Sequence, residues 1–131
     1  MSKKFKLYLD SNICIYLLDE ENYFTSKITQ IIKSHSQLYI SSMSYVFVMQ
    51  KGIKHPTLDF SLLELYDMTK SYTICNLNEH ILEKARIICQ DNDFEDAVQV
   101  ATALEYNLDV MLTADKNLAK KYSQYLQIIL V

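Results

Sequence analysis

The sequence holds a single glycine, Gly52, and a single proline, Pro56, in 131 residues. A glycine-rich loop that cradles phosphate cannot be built from one glycine, which excludes Walker-type NTPases and dinucleotide-binding Rossmann enzymes. Arg86 is the only arginine, so the bidentate clamps that guanidinium groups make on phosphate are nearly absent. His35, His55 and His80 lie far apart with no ligand spacing, and a zinc site or a Ser/His/Asp triad is poorly supported. Cys14, Cys75 and Cys89 have no Cys-x-x-Cys spacing, and any pairing leaves one over. They read as buried free thiols in a reducing compartment. No long apolar run occurs, and the lysine-rich start at residues 1–6 leads into a strand rather than the core of a signal peptide. These absences predict a cytoplasmic, soluble protein with no membrane partner.

Half of the residues are apolar, enough for one core without staples, and the length suits a single domain over residues 1–131. The net charge of −3 argues against non-specific binding of nucleic acid by a basic face. It leaves a nuclease open, because catalytic carboxylates belong to that negative sum. Two groups of lysines, Lys51 with Lys54 and Lys116 with Lys120 and Lys121, offer local positive charge or an ordinary solvated face.

Apolar periodicity and capping residues divide the chain into alternating strands and helices. Strands are predicted over residues 6–9, 38–40, 72–75, 110–112 and 126–130. Helices are predicted over 13–18, 27–34, 44–53, 59–69, 78–89, 93–106 and 116–122. The third of these closes at a break between Gly52 and Pro56, Asp59 caps the fourth, and Asn78 caps the fifth. Short, continuously apolar strands alternating with helices are the pattern of a parallel sheet covered on both faces, an α/β/α sandwich of about five strands. Ligands of such sheets bind beyond the carboxyl ends of the strands. Asp10, Ser41, Ser42, Thr113 and Asp115 all fall just past predicted strand ends.

Four carboxylates carry the functional reading: Asp10, Glu95, Asp96 and Asp115. Gathered in one site they repel one another unless a cation sits among them, which points to a divalent metal and chemistry on phosphates. Each has a plain structural alternative. Asp10, Ser11 and Asn12 are all residues that cap helices. Asp93 is a cap for the helix that follows, with Glu95 and Asp96 favoured in its first turn by the helix dipole. Asp115 caps the turn into the helix at Lys116. Three acids between Asp93 and Asp96 exceed what a cap needs, and Asp96 shares a face with Ala97, Val100, Ala101 and Leu104 on the packed side. A carboxylate at the rim of a buried face is costly without a partner. Ser11, Asn12 and Thr113 would support the acids. The ten tyrosines, Tyr16, Tyr45, Tyr66 and Tyr106 among them, read as core or rim packing rather than base-stacking platforms.

In four segments the chain resembles PIN-domain ribonucleases, including VapC-type toxins. They are Leu9-Asp10-Ser11-Asn12, Ile40-Ser41-Ser42-Met43-Ser44, the run from Asp96 to Leu104, and Leu112-Thr113-Ala114-Asp115. The resemblance runs from Tyr8 to about the C-terminus. It implies a parallel α/β/α sandwich whose carboxylates hold Mg²⁺ or Mn²⁺ and hydrolyse RNA phosphodiesters. By position, Asp10, Asp96 and Asp115 match the family's metal-binding acids, and Ser11, Asn12 and Thr113 its supporting polar residues. It also implies a small cognate antitoxin protein that inserts a segment into the acidic site, and a homodimer.

The chain departs from the pattern at Phe47, where many PIN domains carry a glutamate. Either Glu95 supplies the missing charge, as the Asp-Phe-Glu-Asp run of a PIN subgroup implies, or the site is weakened and the protein is a module that binds RNA or an antitoxin. The first reading is favoured because Asp10, Asp96 and Asp115 persist. A phospho-acceptor domain like a response regulator is disfavoured. Asp10 has no acidic neighbour, and no late lysine ends a strand.

Overall fold

The computed structural model describes residues 6–19, 22–35, 37–58 and 60–131. The strands are β1 (Lys6–Leu9), β2 (Gln37–Ser41), β3 (Thr73–Cys75), β4 (Val110–Thr113) and β5 (Gln127–Leu130). They form one sheet in the order β3-β2-β1-β4-β5, with every neighbouring pair parallel. The central strands β1 and β4 are the most buried. Leu7, Tyr8, Leu9, Met111 and Leu112 are fully buried, as expected of strands covered on both faces.

The described residues also form seven helices: α1 (Ser11–Leu18), α2 (Thr25–Lys33), α3 (Ser42–Lys54), α4 (Leu62–Thr69), α5 (Glu79–Ile88), α6 (Phe94–Glu105) and α7 (Lys116–Tyr122). Side chains alternate across a strand, and the core divides accordingly. Tyr8 and Met111 pack with Ile81, Ala85, Ala97, Val100, Ala101, Leu118 and Tyr122, under α5, α6 and α7. Leu7, Leu9, Val110 and Leu112 pack with Ile13, Ile28, Val48 and Leu65, under α1 to α4. The three-layer sandwich follows from these two clusters. Among the described residues no helix is long and apolar enough to cross a membrane.

Several boundaries differ from the sequence reading, each for a local reason. The first helix begins at Ser11 rather than Ile13, so Asp10 stands at its cap position. Gly52 does not break the third helix, which continues to Lys54. A Cβ at Gly52 would come within 3.1 Å of the Phe60 ring, so the glycine makes room for a packed aromatic rather than a turn. The fourth helix starts at Leu62 and is capped by Ser61, whose hydroxyl accepts from Glu64 N while Ser61 N donates to Glu64 Oε1, both at 3.1 Å. That capping box satisfies two otherwise unpaired groups. Asp59, the expected cap, lies outside the described residues. Asn78 and Asp93 cap as predicted, accepting from Ile81 N and Asp96 N. With its one glycine used elsewhere, the chain enters β4 through Asn107 at φ 54°, and asparagine is among the few residues that tolerate this left-handed geometry. Cys14 and Cys75 are buried free thiols, whereas Cys89 is only partly buried, because the fifth helix has already ended at Ile88.

Candidate functional site

The chain leaves β1 toward β2 on one side and returns on the other side through β4, so a crevice opens beyond the carboxyl ends of β1 and β4. Asp10 sits there, 2 % exposed. Its backbone N–H donates to Leu112 O at 3.0 Å, extending the ladder by one rung. Its side chain makes no capping bond to the helix it precedes. Instead, Thr113 Oγ1 donates to Asp10 Oδ2 at 2.8 Å, and the same hydroxyl accepts from Asp115 N at 3.0 Å. Burial raises the Asp10 carboxyl to about 6 even though Thr113 and the Ser11 N–H pull it down; the Glu95 and Asp115 charges push it higher. The capping alternative for Asp10 therefore fails on geometry.

α6 delivers the other acids. Residues 96–103 of this helix are buried without interruption. Alanines at 97, 101 and 103 let it sit close between the sheet and its neighbours. Below the acids, Tyr8 Oη donates to Gln99 Oε1 and ties β1 to α6. Asp93 Oδ1 accepts from Asp96 N at 3.1 Å, so the capping reading of Asp93 holds. Asp96 is 8 % exposed, and its buried Oδ2 has no hydrogen-bond partner. Lys121 Nζ lies 3.9 Å from that oxygen and is held mainly by Asp91 Oδ2 at 2.6 Å. Burial, then the charges of Asp93, Asp10 and Asp115, hold the Asp96 carboxyl well above the usual carboxylate range. Glu95 is exposed at the rim and accepts from Ser11 Oγ at 3.4 Å. Burial and Asp93 raise its carboxyl, while Ser11, Lys51 and Lys54 oppose the rise.

Asp115 does serve as a cap: its Oδ1 accepts from Asn117 N at 2.8 Å and Leu118 N at 3.2 Å. It also faces the acids and lines the same cavity of about 210 Å³ as Ser11, Asn12, Glu95 and Asp96. All seven residues singled out in the sequence thus lie at this one end of the sheet, with Asp10 and Thr113 buried behind the cavity wall.

Of the α3 residues at the site, the resemblance points to Phe47 and the charge pattern to Lys51 and Lys54, whereas Gln50 is not singled out by the sequence. Phe47, Gln50, Lys51 and Lys54 line the cavity from α3. Their spacing, three, four and seven residues on from Phe47, marks one helical face, but only the fold shows that this face meets the acids. On the opposite side, Lys120 and Lys121 line an adjoining cavity with Asp91, Asp96 and Asp115. Lys116 belongs to neither cavity.

The donor set suits a hard divalent cation. It consists of carboxylate and hydroxyl oxygens, with one buried carboxylate oxygen lacking a hydrogen bond, and burial, then neighbouring negative charge, raising the two buried acids. Among the described residues no three Asp, Glu, His or Cys side chains close into a ready cage.

The PIN domain family model matches residues 7–123. The chain belongs to the PIN domain family. Solved structures with the same fold include a toxin–antitoxin complex from Klebsiella pneumoniae, with TM-score 0.70 and 20 % identity over 94 % of this chain and 95 % of that one. VapBC2 from Rickettsia felis, bound to a DNA fragment from its promoter, matches with TM-score 0.69 and 13 % identity over 97 % and 99 % of the two chains. Mycobacterium tuberculosis VapC20, a toxin that cleaves the sarcin-ricin loop, matches with TM-score 0.72 and 9 % identity over 87 % and 93 %. No curated protein matches the sequence. At these identities the likeness is one of fold, and this PIN domain shares it across nearly its whole length.

Proposed function

We propose that this PIN domain is a metal-dependent ribonuclease and the toxin of a toxin–antitoxin pair. The observation that carries the reading is the pair of buried carboxylates, Asp10 and Asp96, both raised chiefly by burial. The charge of Asp10 adds to the rise at Asp96, and the Lys121 ammonium, already held by Asp91, comes no nearer than 3.9 Å to Asp96 Oδ2. Burying like charges is costly, and such perturbed acids in a cleft mark functional sites. The family match and the toxin structures that share the fold support the same reading.

Asp10, Asp96 and Asp115 would hold Mg²⁺ or Mn²⁺, with Glu95 at the rim. When bound, such an ion activates water and offsets charge on the phosphate undergoing displacement. The chain's own residues do the rest. Thr113 donates to Asp10 Oδ2 and fixes that carboxylate at the end of β1. Ser11 holds Glu95 through Oε1, which leaves Oε2 to accept the proton of a water attacking phosphorus. The raised Glu95 carboxyl is a better base than an ordinary glutamate. Water oxygen bonds to phosphorus as the bond from phosphorus to the leaving ribose oxygen breaks, and solvent protonates that oxygen. Lys51 and Lys54 meet the flanking phosphates. An antitoxin that seats a cationic segment in this acidic cavity would block it.

Phe47 in the cavity wall favours the second reading, a binding module with a weakened site. Mn²⁺ titration by calorimetry, with RNA cleavage assayed in parallel, separates the two. Wild type is expected to bind Mn²⁺ and cut single-stranded RNA, and Asp10→Asn to lose both while keeping its fold. RNA binding without metal binding or cleavage in the wild type would hand the lead to the module.

A further inference from the structure

Next to the acidic cavity lies a second one of about 190 Å³, walled by Phe47, Leu77, Leu82, Phe94 and Val98, with Glu95 on its edge. Phe47 and Glu95 line both cavities, so a ligand seated among the acids continues into the second space. The rings come from two elements, Phe47 from α3 and Phe94 from the first turn of α6. Phe94 is 42 % exposed and Leu82 41 %, a large apolar surface that the core does not use.

We propose that this slot receives one nucleobase of the bound RNA, stacked against Phe94 and Phe47, while the neighbouring phosphate lies among the acids. The inference rests on the ribonuclease reading and adds a substrate subsite to it. Three features favour a base as the occupant. The slot is small and presents two aromatic rings, the surfaces on which bases stack; Phe94 and Leu82 also wall a further apolar cavity with Glu79, Glu83 and Arg86. It is continuous with the cavity that takes phosphate chemistry. Lys51 and Lys54 line the acidic cavity beside it, a charge that suits the phosphate backbone on which the base would be carried. Its walls are hydrocarbon, so stacking rather than hydrogen bonding sets the affinity. The slot therefore requires a base without strongly selecting which one.

The test uses single-stranded RNA decamers bound to the full chain with Ca²⁺, another oxygen-seeking ion, in place of Mg²⁺. Each decamer carries 2-aminopurine, or an abasic residue, at one position in turn. One position is expected to show severalfold fluorescence quenching. An abasic residue there should weaken binding about ten-fold, the scale of one base–aromatic stack. Phe94→Ala should weaken binding of intact RNA by a similar factor and leave the abasic decamer unaffected. Phe94→Leu, which keeps apolar cover at the site, should recover only part of the loss. RNA that binds and is cut with no quenched position overturns the slot, as does an abasic penalty that survives Phe94→Ala. A Phe94→Ala defect confined to binding of an antitoxin protein also overturns it, in favour of a protein seat. A wild-type chain that neither binds nor cuts RNA removes the ribonuclease reading itself, a different outcome from losing the slot alone.

Discussion

At Asp10, burial and hydrogen bonding act in opposite directions, and burial wins. Its carboxyl rises from 3.8 to about 6, so the native state holds the proton more tightly than the unfolded chain. The sign follows from linkage. For the metal-free protein, stability from this group is greatest below about pH 4 and is lost as pH climbs through about 6. A shift of this size corresponds to about 3 kcal/mol. Asp10→Asn removes the burden and keeps an acceptor for Thr113. In EDTA at pH 7.5 the variant should be more stable than wild type by about 1–3 kcal/mol in urea unfolding, with the gap closing near pH 4. A variant less stable than wild type at pH 7.5 would mean that the buried charge is compensated after all. The same substitution is expected to abolish metal binding, which separates stability from function at a single residue.

Along α6, one cap works against itself. Asp93 secures the helix by accepting from Asp96 N, a bond worth about 1 kcal/mol, yet its charge raises both Asp96 and Glu95. Asp93→Asn keeps the acceptor and drops the charge, so it should stabilise the metal-free protein at pH 7.5. Asp93→Ala loses both and should fall close to wild type. Urea midpoints that rank alanine above asparagine would contradict this account. Elements of this kind were legible in the sequence because caps and apolar periods are local. Asn78 and Asp93 could be read directly, and so could a buried stripe of Ile81, Ala85, Ile88 and Cys89, of which Cys89 lies past the helix end and is only partly buried. So could the strands, whose central members are apolar on both faces. Gly52 misled because a packing role for glycine requires knowing that Phe60 lies over it. Ser61 was missed because Asp59 offered an equally good cap two residues earlier. For the site, the acids were legible from their places past strand ends. Nothing local tied Lys121 to Asp91, thirty residues earlier, or turned the Phe47 face of α3 toward the acids.

Across the whole molecule, the net charge of −3 conceals a division of labour. The acids lie in the crevice, with Lys51 and Lys54 on one flank and Lys120 and Lys121 on the other. RNA binding should therefore weaken with salt despite the acidic protein. Replacing Lys51 and Lys54 together by alanine should flatten the slope of log K against log salt by about 1.4, at about 0.7 for each single-strand phosphate no longer neutralised. An unchanged slope would place the backbone elsewhere. The Thr113–Asp10 hydrogen bond joins residues 103 positions apart, and it also sets a clock. During synthesis Asp10 emerges early, but the strand that completes its surroundings is made last but one. At roughly 5–20 residues per second, that interval lasts about 5–20 s. Throughout it, the nascent chain has its first acid and no assembled site, because the crevice closes around Asp10 only once β4 has slotted in beside β1.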